Sequence, residues 1–158
     1  MNHDLTEDDY VLLFELRRSI RRFLRFSEEA ARALRVEPQQ HQAMLAIRAN
    51  ARLGRARIGD LADWLQLRHH SAVELVDRLV QRGLVERSRG EGDRRFVHVA
   101  LTAEGAQVLA ELSRHHQAEL RRAGPALARV LEQLTGDAGS ADAAKLALEH
   151  ETKGLGES

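Results

Sequence analysis

From Thr6 to about Arg35 the apolar residues Leu13, Leu16, Ile20, Phe23, Leu24, Ala31 and Leu34 recur at helical spacing, which lines them along one face. Thr6 and Asp9 read as an N-cap pair, with Glu7 and Asp8 placed to favour the positive end of the helix dipole. A helix of roughly 28 residues spans about 40 Å, longer than a small core requires. Near a terminus, such a helix is suited to packing against another chain. Pro38 fits the first turn of a second helix, which runs to about Ala49. A short helix over about Gly59–Trp64 follows, with Ile58, Leu61, Ala62 and Leu65 at i, i+3, i+4, i+7. Leu67 lies in the turn. The next helix covers about His69 to Arg82, with Ala72, Leu75, Val76 and Leu79 on one face, and Gly83 stops it.

After Gly83 the period changes from 3.6 to 2. Leu84–Ser88 and Phe96–Leu101 read as strands flanking a polar tip, Arg89-Gly90-Glu91-Gly92-Asp93-Arg94-Arg95. Thr102 caps a further helix with a Leu109, Leu112, His116, Leu120 stripe. Gly124-Pro125 either kinks it or ends it, with Pro125 then opening a new helix to about Leu134. Thr135–Gly139 is a loop, and Ser140 caps a last helix to about Glu149. The expected fold is mainly α with a small β-hairpin wing: a winged helix-turn-helix between N- and C-terminal dimerisation helices. The corresponding segments are 1–36, 37–105 and 106–158, within one domain overall.

Composition narrows the function. With 43% hydrophobic and 30% charged residues the chain is that of a packed protein. It has no cysteine, which excludes thiolate metal sites, disulfides and thiol redox chemistry. No apolar run reaches membrane length and the acidic start does not resemble a secretory signal, so a cytoplasmic protein without a membrane partner is expected. The net charge is zero but unevenly spread. Residues 1–37 carry −1 (7 basic, 8 acidic), residues 38–98 carry +4 (11 basic, 7 acidic) and residues 99–158 carry −3 (6 basic, 9 acidic). Apart from Lys145 and Lys153, every one of the 24 basic side chains is an arginine, whose rigid fork suits phosphates and guanine edges. A basic middle suggests an anionic partner there.

On a 100° helical wheel the apolar face of 69–82 is centred between Leu75 and Val76. Its outer face then carries His70, Val73, Glu74, Asp77 and Gln81, flanked by Ser71 and Arg78. Such a face, pinned from behind, fits a major groove about 12 Å wide. Residues 34–105 resemble the MarR family of bacterial transcriptional regulators. The likeness rests on EPQQHQAMLAI, IGDLADWLQL, LVDRLVQRGLVER and DRRFVHVALTAEG, which occur in order. That resemblance implies a homodimeric repressor of a pseudopalindromic operator on double-stranded DNA, released by a small-molecule effector, with no cofactor and no catalytic site. It implies base-facing His69, His70, Ser71 and Glu74, backbone contacts from Arg68 and Arg78, and wing contacts from Arg94 and Arg95 oriented by Asp93. Arg68 departs from the family's small capping hydroxyl, and acidic Glu74 from its usual basic or amide residue.

Other readings compete with this one. Phe23, Phe26, His41 and Trp64 are candidates for an effector pocket or for plain core packing. Arg17, Arg18, Arg21, Arg22 and Arg25 read as a solvated face paired with Glu15, Glu28 and Glu29, or as support for a DNA backbone or an anionic effector. The adjacent pairs His69-His70 and His115-His116 point about 100° apart, which is poor for joint metal ligation, so no metal site is assigned. A His-based metalloregulator using His115 or His116 across a dimer is one alternative. A winged-helix protein-interaction module without DNA binding is another. No phosphate loop, dinucleotide fingerprint or nucleophile elbow is present, and an enzyme is not expected.

Overall fold

Capping chemistry fixes several helix boundaries in the computed structural model, which describes residues 5–51, 56–89 and 97–136. The order is α1 (Glu7–Ala33), α2 (Pro38–Asn50), β1 (Ala56–Arg57), α3 (Ile58–Trp64), α4 (His69–Gln81), β2 (Val85–Arg89), β3 (Val97–Leu101) and α5 (Ala103–Thr135). The wing tip with Asp93, Arg94 and Arg95, and the helix expected over residues 140–149, lie outside the described residues.

The Asp9 N–H donates to Thr6 Oγ1 at 3.3 Å while the Thr6 N–H donates to Asp9 Oδ2 at 2.8 Å, a reciprocal capping box on α1. At the far end Arg35 adopts φ 58°, and the Val36 N–H reaches back to the Ala31 carbonyl at 2.9 Å. Val36 is thereby buried. Pro38 opens α2, and the Glu37 N–H is taken by Gln40 Oε1 at 3.1 Å. Gly83, at φ 68°, ends α4 and sends the Leu84 N–H to the Leu79 carbonyl at 3.0 Å. Thr102 Oγ1 accepts the Gly105 N–H at 3.0 Å at the start of α5 and donates to the Gly83 carbonyl at 2.6 Å.

The sheet is antiparallel in the order β1-β3-β2, with Arg87 opposite Val99 and Val99 also opposite Ala56. Strand β1 is absent from the sequence reading. Two residues have no periodicity of their own, and this pair is fixed by Val99, more than forty positions later. The Gly124-Pro125 ambiguity resolves as continuity, since α5 runs through Pro125 to Thr135. Pro125 forgoes one backbone bond there, and half-buried Leu127, Val130 and Leu134 keep the helical stripe beyond it.

The chain divides into two compact units: one of residues up to Leu24 and from Ala118 onward, the other Arg25–Gln117. The second holds a core that includes Met44, Leu61, Leu75, Leu79, Val99 and Leu112. In the first, Tyr10, Phe14, Ile20, Leu120 and Leu131 are exposed. Arg18 pairs with Glu15 at 3.1 Å in the first unit, and Arg25 with Glu29 at 2.9 Å in the second. These are solvent-exposed pairs of little energetic weight. No helix among the described residues is long and apolar enough to cross a membrane.

Candidate nucleic-acid interface

Helix α3 starts where the Arg57 N–H donates to Asp60 Oδ2 at 2.9 Å. It stops as Gln66 takes φ 53° and the Leu67 N–H returns to the Ala62 carbonyl at 2.8 Å, turning the chain into α4. Arg68 stands at the N-cap of α4 with no side-chain cap bond, as a residue without an acceptor must. Ala72, Leu75, Val76 and Leu79 are buried. One turn apart on the opposite side, His70, Glu74 and Arg78 form an exposed stripe, with Ser71 half-buried beside it and His69 exposed at the first turn. Six of the sequence-designated residues, Arg68, His69, His70, Ser71, Glu74 and Arg78, thus lie on or at the start of this helix. None of their side chains makes a hydrogen bond or ion pair within the described residues.

Two positions expected on the outer face turn elsewhere. Val73 and Asp77 are half-buried toward the hairpin: Arg87 on β2 bridges Asp77 Oδ1 at 2.6 Å and donates to the Val73 carbonyl at 3.5 Å. A helical wheel assigns direction but not what packs alongside, and here the wing covers that flank. The bridge is partly exposed and contributes about 0.2–1 kcal/mol, so its effect is mainly orientational. At the other end of α4, Arg82 donates to the Arg35 carbonyl and, at 3.1 Å, to Gln40 Oε1. Sequence reasoning missed this anchor. Arg82 looks like any cation near a helix C-terminus, and its partners lie more than forty residues away.

Beside α4 a hollow of about 820 Å³ is lined by Arg57, Asp60, Asp63, His69, Arg87 and Ser88, among others. A second, of about 320 Å³, lies among Ile47, Arg48, Val99 and Leu101. Neither is lined by the four effector-pocket candidates. Phe23 is half-buried in the first unit. Trp64 is 43% exposed at the end of α3. Phe26 and His41 meet on the ring of His116, edge-on at 5.9 Å and stacked at 4.8 Å respectively. Burial, and next the neighbouring His116, hold the His41 imidazole below its ordinary range. Among the described residues, no group of three or more His, Asp or Glu side chains could hold a metal ion, and His115 is exposed.

Residues 34–95 match the model of the MarR family. A helix-turn-helix-type transcriptional regulator of Bacillus subtilis, YsmB, itself described as uncharacterised, is 35% identical over 69 residues. That stretch is 44% of this chain and 47% of YsmB, so the match spans about half the length of the relative. AbsC, a MarR family transcriptional regulator from Streptomyces coelicolor, superposes with a TM-score of 0.66 at 20% identity, covering 98% of each chain. A cysteine-to-serine mutant of MarR from E. coli, complexed with operator DNA, superposes at 0.57 and 22% identity over 97% of this chain and 99% of that one. The segment 34–95 is therefore MarR-type in sequence, and the chain has the MarR winged helix-turn-helix fold.

Proposed function

We propose that the chain is a homodimeric, MarR-type transcriptional repressor that lays α4 in the major groove of double-stranded DNA. The observation that carries this reading is the unpartnered polar stripe of α4, on a helix tied at both flanks by Arg82 and Arg87. In that role His69, His70, Ser71 and Glu74 meet base edges, and Arg68 and Arg78 meet phosphates. Asp93 orients Arg94 and Arg95 for the wing's contact, where a narrow minor groove concentrates negative potential. The E. coli MarR mutant complexed with operator DNA, which shares this fold, supports the reading.

Dimerisation is favoured by the exposed apolar side chains of α1 and α5, including Tyr10, Phe14 and Leu131, which a lone chain leaves in water. Two-fold symmetry then requires half-sites about one helical turn apart. A small-molecule effector that prefers a dimer with misplaced recognition helices releases DNA, and a 100-fold loss of affinity corresponds to about 2.7 kcal/mol of differential binding.

Selection of bound genomic fragments by the purified protein, followed by retardation assays across salt, tests the reading. Affinity should fall steeply between about 50 and 200 mM salt. Arg94→Ala with Arg95→Ala removes four arginines from the dimer, and should weaken binding to all sequences and flatten the log–log salt slope by roughly 4. No retarded fragment at any salt concentration would favour a protein-interaction module, a reading to which the acidic Glu74 on the exposed stripe lends itself.

A further inference from the structure

One imidazole joins three helices of the Arg25–Gln117 unit. His116 on α5 places Nδ1 2.6 Å from the Leu112 carbonyl and Nε2 2.7 Å from Ser27 Oγ on α1. A carbonyl only accepts, so Nδ1 carries the proton, and the neutral ring accepts from the Ser27 hydroxyl at Nε2. If His116 is charged, Nε2 donates and the hydroxyl rotates to accept. His116 therefore keeps both bonds in either state. His41 on α2 has no such provision. It is 7% exposed and lies face to face on His116, the planes 14° apart.

The charged groups on the surrounding elements are engaged elsewhere or point to water. On α1, Arg25 pairs with Glu29 and Arg32 with Glu28. On α2, Glu37 is exposed, and on α5 so are Glu111, Arg114 and His115. Arg82, from the end of α4, is held by the Arg35 carbonyl and Gln40. Of the described residues, the charge that bears on His41 is that of His116, and it is of like sign. A proton on His41 would be poorly hydrated, and repelled whenever His116 is charged.

We infer that the His41–His116 stack is an acid-sensitive latch, in which proton uptake by His41 loosens α2 from α1 and α5 and shifts α4. The link to α4 is the residue beside His41. Gln40 accepts from the Glu37 N–H at the head of α2 and from Arg82 at the end of α4, so a displaced α2 drags on that end. The consequence for DNA rests on the repressor reading, whereas the latch itself does not. The sign is fixed: His41 titrates lower in the folded chain than in the unfolded one. The unfolded state therefore binds more protons as pH falls through about 6.5, and acid weakens the packing.

The test compares the full-length wild type with His41→Phe, and with His41→Gln as a second variant in case the first misfolds. Thermal midpoints and affinity for a selected operator fragment are measured from pH 7.5 to 5.5, alongside histidine-ring NMR titration of the wild type. The latch predicts a wild-type midpoint that falls with pH more than the variant's, a His41 titration below the ordinary range, and operator affinity falling at least tenfold more than the variant's. Parallel midpoints in wild type and variant, or an ordinary His41 titration, overturn it. A midpoint difference with parallel operator affinities overturns the coupling to α4. A midpoint difference with no DNA binding at any pH leaves the latch standing and defeats the repressor reading.

Discussion

Replacing Gly105 by alanine isolates the joint on which the hairpin and α5 both depend. A Cβ at Gly105 would sit 1.9 Å from the Leu84 carbonyl oxygen and 2.9 Å from its carbon, backbone atoms that cannot swing aside. An ordinary carbon–oxygen contact is about 3.3 Å or more, so the two segments must part by roughly 1.4 Å. That carbonyl accepts the Thr102 N–H at 3.1 Å, and the Leu84 N–H itself bonds Leu79 at 3.0 Å. Separation strains both bonds, each contributing about 1 kcal/mol, on top of an overpacking cost of about 1–3 kcal/mol. Gly105→Ala should therefore destabilise by about 3–5 kcal/mol, lowering the thermal midpoint by roughly 6–20 °C for a chain of this size. The control is Gly59→Ala. A Cβ there meets nothing within 4 Å, and the same methyl in helix α3 should stabilise by up to about 1 kcal/mol. Circular dichroism melts at 222 nm read both. A Gly105→Ala midpoint within about 2 °C of the parent would refute the close approach of α5 to Leu84.

Thr102→Val removes the hydroxyl that caps α5 and holds the Gly83 carbonyl, and urea titration should register a loss of about 1–2 kcal/mol that Thr102→Ser largely restores. Phe14→Glu and Ile20→Glu put a carboxylate on side chains already 57% and 42% exposed. Light scattering should report monomers for both, and an intact dimer would locate the interface elsewhere. Asp77→Asn and Arg87→Ala should show a double-mutant coupling energy below about 1 kcal/mol, because the bridge is partly exposed. A coupling of about 2 kcal/mol or more would mean that water does not screen the pair.

What was legible in the sequence was local. The Thr6/Asp9 box, Pro38, Gly83 and Thr102 each act within a few residues, and each marks a helix boundary as read. The buried side of α4 was legible for the same reason, as was the His70, Glu74, Arg78 stripe opposite it, whereas Val73 and Asp77 on its flank were not. The misses share the opposite property. Strand β1 exists through Val99, Arg82 binds Arg35 and Gln40, Asp77 answers to Arg87, and His41 stacks on His116. In each case the deciding partner arrives from another element, and nothing in the residue's own neighbourhood announces it. Pro125 is the reverse: a local signal for a break, which the half-buried stripe of Leu127, Val130 and Leu134 overrides. The surface proposed to meet DNA was therefore the readable part. Its supports were not: Arg82 reaches Arg35 and Gln40 across more than forty residues, and the His41–His116 stack joins α2 to α5. On the proposed reading, a close relative that kept the stripe but carried phenylalanine in place of His41 should bind DNA by the same contacts without the acid response, and operator retardation at pH 7.5 and 5.5 checks it.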